Sequence, residues 1–115
     1  MTTPSLAITE NYSGTGATAP RVSLRQMEDK IASRVFINLG DAIERTGQSA
    51  SRHAFLMTLC VLTMDNGYVI TGQSAPASPE NFDIDKGRTF AYEDAIRKLW
   101  PLEGYLLRDR LTADA

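Results

Sequence analysis

The sequence predicts an α+β domain: a small antiparallel sheet built on a β-hairpin, with an N-terminal helix and two C-terminal helices, assembled as an oligomer. Three observations predict it. Two apolar runs, Phe55–Met64 and Tyr68–Ser74, flank Asp65-Asn66-Gly67, and Asn-Gly between such runs is a strong hairpin signal. Leu24, Met27, Ile31 and Val35 recur at spacings of three and four, as on one face of a helix. Gly87, Ala91 and Ala95 recur every fourth residue ahead of Leu99, a row of small residues that lets a helix lie close against a sheet.

At 115 residues the chain has room for one domain. Twelve Lys and Arg stand against fourteen Asp and Glu, a net charge of −2, which argues against a double-stranded nucleic-acid binder. The single cysteine, Cys60, lies mid-strand and reads as a small hydrophobe; one thiol builds neither an intrachain disulfide nor a zinc site, which suits a reducing cytoplasm. No apolar run approaches the roughly 20 residues of a membrane helix. Met1-Thr2-Thr3-Pro4-Ser5 lacks the basic and apolar regions of a signal peptide.

Residues 1–20 are dominated by Thr, Ser, Gly, Ala and Pro and read as a flexible tail, or as a segment that orders on a partner; residues 21–115 form the domain. Ser23-Leu24-Arg25-Gln26 is a capping-box pattern opening a helix over about 24–36, with a short helical turn at Asp41–Arg45. In the hairpin, a two-residue type I′ loop at Asn66-Gly67 would set Asp65 opposite Tyr68, Thr63 opposite Ile70 and Val61 opposite Gly72. One face then carries Leu59, Val61, Thr63, Tyr68 and Ile70, the other Cys60, Leu62, Met64, Val69 and Thr71. Neither is polar, so both call for cover, from helices or from another copy of the chain. Ser78-Pro79 opens a short turn, and Asp83 or Asp85 starts the next helix. Trp100-Pro101 should end that helix and start a second, in which Leu102, Tyr105 and Leu106 share a face.

Catalytic patterns are absent. His53 is the only histidine and stands in a polar stretch; there is no nucleophile elbow, no Walker-type glycine loop and no metal-ligand spacing, so the expectation is a non-enzyme without metal or cofactor. Binding is the better reading. Asn81-Phe82 lies in a loop, where a large aromatic either plugs the core or stacks on a planar ligand. Arg88, Tyr92 and Arg97 follow it, and Arg108 and Arg110 lie near the end of the chain. Each arginine alone reads as solvated helix surface. Together they suggest a pocket for a small anion, because guanidinium forks pair with phosphates and aromatic rings hold bases.

The run Thr58–Thr63, then Asn66-Gly67, Thr71–Ala75, Ser78-Pro79-Glu80-Asn81-Phe82-Asp83, Gly87-Arg88 and Lys98-Leu99-Trp100-Pro101-Leu102-Glu103-Gly104-Tyr105-Leu106-Leu107 resembles a family of small phage proteins named after gene products forty-nine and sixty-six of two phages. The resemblance spans about residues 24–111. It departs at Pro76, where the family usually has cysteine, and at Asp94, where it has asparagine. The layout is more loosely similar to the Thoeris anti-defence sponges, oligomers that sequester cyclic ADP-ribose-type signals; related sponges take cyclic dinucleotides. That similarity implies Phe82 for base stacking and Arg108 and Arg110 for phosphates.

The resulting expectation is a phage-encoded, non-enzymatic, homo-oligomeric protein of the host cytoplasm. It would bind and sequester a host immune nucleotide second messenger, a cyclic ADP-ribose-type molecule or a cyclic dinucleotide. The alternatives are an accessory protein that inhibits a host protein through its apolar surface, and an auxiliary nucleic-acid-associated protein, which the charge disfavours.

Overall fold

The capping box at Ser23 is present in the computed structural model, which describes residues 1–115. Ser23 Oγ accepts from the Gln26 amide while Gln26 Oε1 accepts from the Ser23 amide, and the helix α2 (Leu24–Asp29) begins there. It stops after six residues, not at 36. Ile31–Asn38 is a strand, β1, so the helical stripe through Ile31 and Val35 is corrected. Ile31, Val35 and Ile37 are β-branched, lose rotamer freedom in a helix and suit a pleated surface. As a strand they also give the hairpin a third partner.

The short helix α3 (Leu39–Arg45) and a 3₁₀ turn at Arg52–Leu56 lead into β2 (Thr58–Met64), which turns into β3 (Val69–Ser74). The sheet is antiparallel in the order β1-β2-β3. The hairpin falls where expected, but its loop has three residues, not two. The Gly67 amide donates to Met64 O at 2.9 Å and the Met64 amide to Tyr68 O at 2.8 Å. Gly67 alone in the loop has positive φ, +87°, whereas a type I′ turn needs two such residues. The register therefore moves by one: Thr63 faces Val69, Leu62 faces Ile70 and Cys60 faces Gly72.

That shift decides the faces. Thr58, Cys60, Leu62 and Met64 are buried, together with Gly72 and the half-buried Ile70. The expected grouping of Cys60, Leu62 and Met64 stands, with Ile70 and Val69 exchanged. The opposite face keeps Val35 and Val69 exposed and leaves Leu59 and Val61 half-buried. Burial pushes the Cys60 thiol up to about 11, with Arg34 pulling weakly the other way, so the group is a neutral core side chain at pH 7.

After a 3₁₀ turn at Pro79–Asn81, one helix, α4, runs unbroken from Ile84 to Ala113 across β2 and β3. The expected break at Trp100-Pro101 is corrected: Pro101 lies inside the helix. A proline removes one i→i−4 hydrogen bond and strains the turn before it. Here both sides are anchored, by buried Leu99 before the proline and after it by Glu103, whose Oε2 accepts from Lys30 Nζ at 2.7 Å.

The expected tail is corrected too. Residues Pro4–Gly14 form a helix, α1, capped by Thr3 and started by Pro4. Leu6 is wholly buried and joins the core of Leu24, Met27, Tyr92 and Ile96. Polar ties surround it: the Thr3 hydroxyl donates to buried Glu93, and Glu10 accepts from Arg21 Nη2 and from the Leu24 amide, both at 2.8 Å. Composition alone missed this helix because a single leucine carries its apolar burial.

Two carboxylate ties are acid-sensitive, Glu10 here and Asp94 on α4, which accepts from the Gln73 amide at 2.9 Å and from Lys98 Nζ at 3.0 Å. Burial raises the Glu10 carboxyl, but the Arg21 hydrogen bond and the Leu24 amide outweigh it and hold the group below its ordinary 4.5. Asp94 is likewise raised by burial and pulled below 3.8 by the Gln73 amide and Lys98. A carboxyl depressed in the folded state stabilises fully above its unfolded pKa, and the contribution fades as pH falls toward the folded value. Urea midpoints should therefore drop on acidification below about pH 4.5, and Glu10→Gln should flatten that dependence.

Candidate functional site

Phe82 is the pivot of the candidate site. It lies between the Pro79–Asn81 turn and the start of α4, where Asp83 caps the helix by accepting from the Lys86 amide at 2.9 Å. On one side of Phe82 opens a cleft of about 640 Å³, lined among others by Asn81, Lys86, Phe90, Thr58 and Pro76. On the other is a smaller cleft of about 280 Å³ that shares Thr58 and Phe82 and adds Phe36, Asn38 and Arg88. Gly87 shapes the wall between α4 and the sheet, since a Cβ there would lie 2.7 Å from Thr58 Oγ1.

The electrostatics favour an acceptor-bearing guest. Lys86 and Arg88 form no ion pair, and the Arg88 guanidinium lies 5.6 Å from the centre of the Phe36 ring. Of the carboxylates that line the clefts, Asp83 and Glu80 are engaged within the chain, whereas Asp41, in the smaller cleft with Arg88, makes no ion pair. Asp83 caps α4, and Glu80 accepts from the Ser78 hydroxyl, a bond that with a backbone amide holds its carboxyl below the ordinary range. Phe90 is 55% exposed, a large ring left in water in the cleft that Lys86 also lines.

The expected site residues divide into groups. Asn81, Phe82 and Arg88 meet around the two clefts. Tyr92 is corrected: its ring is fully buried, its hydroxyl donates to Glu28 Oε2 at 2.9 Å, and the Arg34 guanidinium lies 5.6 Å from the ring centre. Burial, and then the Glu28 bond, hold that phenol proton far above its usual range, so Tyr92 is a core group and not a stacking surface. Arg97 donates to Ser5 Oγ at 2.9 Å and so reaches α1. Arg108 and Arg110 lie at the far end of α4, roughly 36 Å along the helix from its start. Arg110 lines a separate groove there with Arg21 and Lys30. Within one chain, Phe82 and the terminal arginines share no pocket.

Lys86, Phe90, Phe36 and Asn38 escaped the sequence reading. Lys86 and Phe90 were accessible from spacing, one and two helical turns beyond Phe82. Phe36 and Asn38 reach the site only because residues 31–38 form a strand.

The fold and cleft define a small α+β protein, with one long helix laid across a three-stranded antiparallel sheet and an aromatic cleft at that helix's start. The chain belongs to the phage protein (N4 Gp49/phage Sf6 gene 66) family, whose model matches residues 22–111. No curated protein and no solved structure matches it. No helix is long and apolar enough to cross a membrane.

Proposed function

We propose that this phage-family protein binds a nucleotide-type ligand in the Phe82 clefts without transforming it, and that it acts in the host cytoplasm by sequestering a nucleotide second messenger of host immunity. One observation carries the reading: exposed and half-buried aromatic rings, Phe90 and Phe82, line two adjoining clefts whose cations, Lys86 in the larger and Arg88 in the smaller, form no ion pair, while the carboxylates of the larger cleft, Glu80 and Asp83, are engaged within the chain. A base stacks on a phenyl face, and an ammonium and a guanidinium suit phosphate oxygens. Sequestration needs affinity and copy number, and no reacting group.

Calorimetry and thermal shift against cyclic ADP-ribose isomers and cyclic dinucleotides test it. A ligand at 100 times its Kd adds about 2.7 kcal/mol of stability. Ligand recovered intact after heating separates sequestration from hydrolysis. Phe82→Ala should weaken binding by about 1–3 kcal/mol, the usual worth of one stacked base. Lys86→Ala and Arg88→Ala should lower affinity and its salt dependence, whereas Arg108→Ala should leave both unchanged. If no nucleotide raises Tm, or if Phe82→Ala binds as wild type, the proposal fails.

A further inference from the structure

The chain exposes more surface than a folded monomer of its size. Its accessible area is 7656 Å² at 12.6 kDa, whereas a monomer of that mass exposes about 6,200 Å². The excess, about 1,400 Å², is more than the roughly 800 Å² that each partner gives up in a standard stable interface. The shape agrees: the radius of gyration is 16.7 Å and the long dimension 54 Å, against roughly 13 Å expected for the radius of a compact domain of this length.

The end of α4 accounts for much of that shape. Its 30 residues extend about 45 Å, while the strands beneath it, β2 of seven residues and β3 of six, span about 24 Å and about 20 Å. From Leu102 onward the helix leaves the sheet. On the side that faces the sheet one turn earlier it shows Leu102 and Leu106, with Tyr105 beside them, 80% exposed. With Tyr68 and Met64 of the hairpin these residues line an open groove of about 480 Å³.

We infer that this overhang is a dimerisation surface whose occupant is the same segment of a second copy, running antiparallel. The charges select a second copy over an unrelated partner. Lys98, Leu102, Tyr105, Leu106 and Asp109 fall within one narrow arc of the helix, with the opposite charges at its two ends. A two-fold axis midway between them sets each Lys98 against the other copy's Asp109 and stacks the apolar residues between. Lys98 Nζ already donates to Asp94 Oδ2 at 3.0 Å and to Thr71 O at 3.1 Å, which leaves one of its three donors free. Asp109 has no ion-pair partner in its own chain.

Sedimentation velocity on the full chain tests the inference. The expected mass is twice 12.6 kDa. Leu106→Glu and Tyr105→Glu should each raise the dimer Kd by about 30-fold or more, as loss of an interface anchor does. The urea transition read from Trp100 fluorescence confirms that these variants still fold, because neither residue belongs to the core. Lys98→Glu and Asp109→Lys should each loosen the dimer, and the double variant should tighten it again. A wild-type chain that sediments as a folded monomer at 100 µM overturns the inference, as does a dimer indifferent to Leu106→Glu. A charge-swapped double variant no tighter than the single ones overturns the antiparallel arrangement.

Discussion

Gly72→Val is expected to destabilise the domain by about 4 kcal/mol or more, enough to leave much of it unfolded. Gly72 lies on β3 beneath α4, and a Cβ there would stand 2.0 Å from the Ala91 carbonyl oxygen and 2.4 Å from the Ala95 nitrogen. Those are backbone atoms of a helix, so no side-chain rotation relieves the clash. Either α4 lifts off the sheet or β3 leaves its register, and both open the core of Cys60, Leu62, Ala95 and Ile96. Gly72→Ala should already cost a large share of the effect, since its Cβ makes the same contacts. Gly104→Ala is the control: no atom outside its own helix lies within 4 Å of a Cβ there. Alanine for glycine within a helix should stabilise by about 0.5–1 kcal/mol. Urea unfolding of the three variants checks the ordering. If Gly72→Ala matches wild type, the close approach of α4 to β3 is wrong, and the cleft wall at Gly87 goes with it.

The same contact shows why part of the fold was legible in the sequence. Gly87, Ala91 and Ala95 announced a helix pressed onto a sheet, and Gly72 is the hollow on the other side. The hairpin was equally plain, because Asn-Gly between apolar runs admits few structures. Its loop length was not: two- and three-residue loops both use a glycine at this place, and whether Asn66 also takes positive φ decides between them. That single dihedral shifted the register and exchanged Ile70 with Val69. The misread strand has a different origin. Leu24, Met27, Ile31 and Val35 fit a helical stripe, but the capping box fixes only where a helix starts. Pairing with β2, seven positions from Ile31 to Asn38, outweighed that local period. Pro101 is a third kind of case, a local breaker overridden by anchors on both sides.

The candidate site follows the same division. Phe82 and Asn81 stood out because a loop aromatic in a Pro-rich segment has few neighbours in sequence to cover it. Arg88 joined them because it lies one and a half helical turns along. Tyr92 and Arg97 lie on the same helix, but their surroundings are set by α2 and α1, through Glu28 and Ser5, which the sequence places far away. Arg108 and Arg110 were grouped with Phe82 as members of a set of arginines and through the similarity to the sponges, neither of which fixes their distance from it. The unbroken helix carries them to the other end of the molecule.

Leu6→Ala should cost about 3 kcal/mol, the usual loss for a leucine removed from a closed core. Nothing in the first 20 residues announces this, since Leu6 stands among Thr, Ser, Ala and Glu. In the fold its side chain is fully buried against the core that holds Leu24, Met27 and Tyr92. Ile8, two residues on, is 70% exposed and serves as the internal control: Ile8→Ala should change stability by no more than about 0.5 kcal/mol. Removal of residues 1–20 should exceed the Leu6→Ala effect, because it also strips Glu93 of the Thr3 hydroxyl and frees Arg21 and the Leu24 amide from Glu10. A buried carboxylate left without its donor adds a penalty of about 1–3 kcal/mol. Thr3→Val keeps the shape while removing the hydroxyl, and so loses the Glu93 bond together with the cap on the Leu6 amide without touching Glu10. The match to the phage family begins at residue 22, so α1 lies outside the family-wide part of the chain and yet closes its core. Chemical denaturation of these variants, with amide exchange over residues 4–14, separates the possibilities. Equal midpoints for Leu6→Ala and Ile8→Ala, with unprotected amides, would return this segment to a tail and leave the core face of Tyr92 and Met27 open.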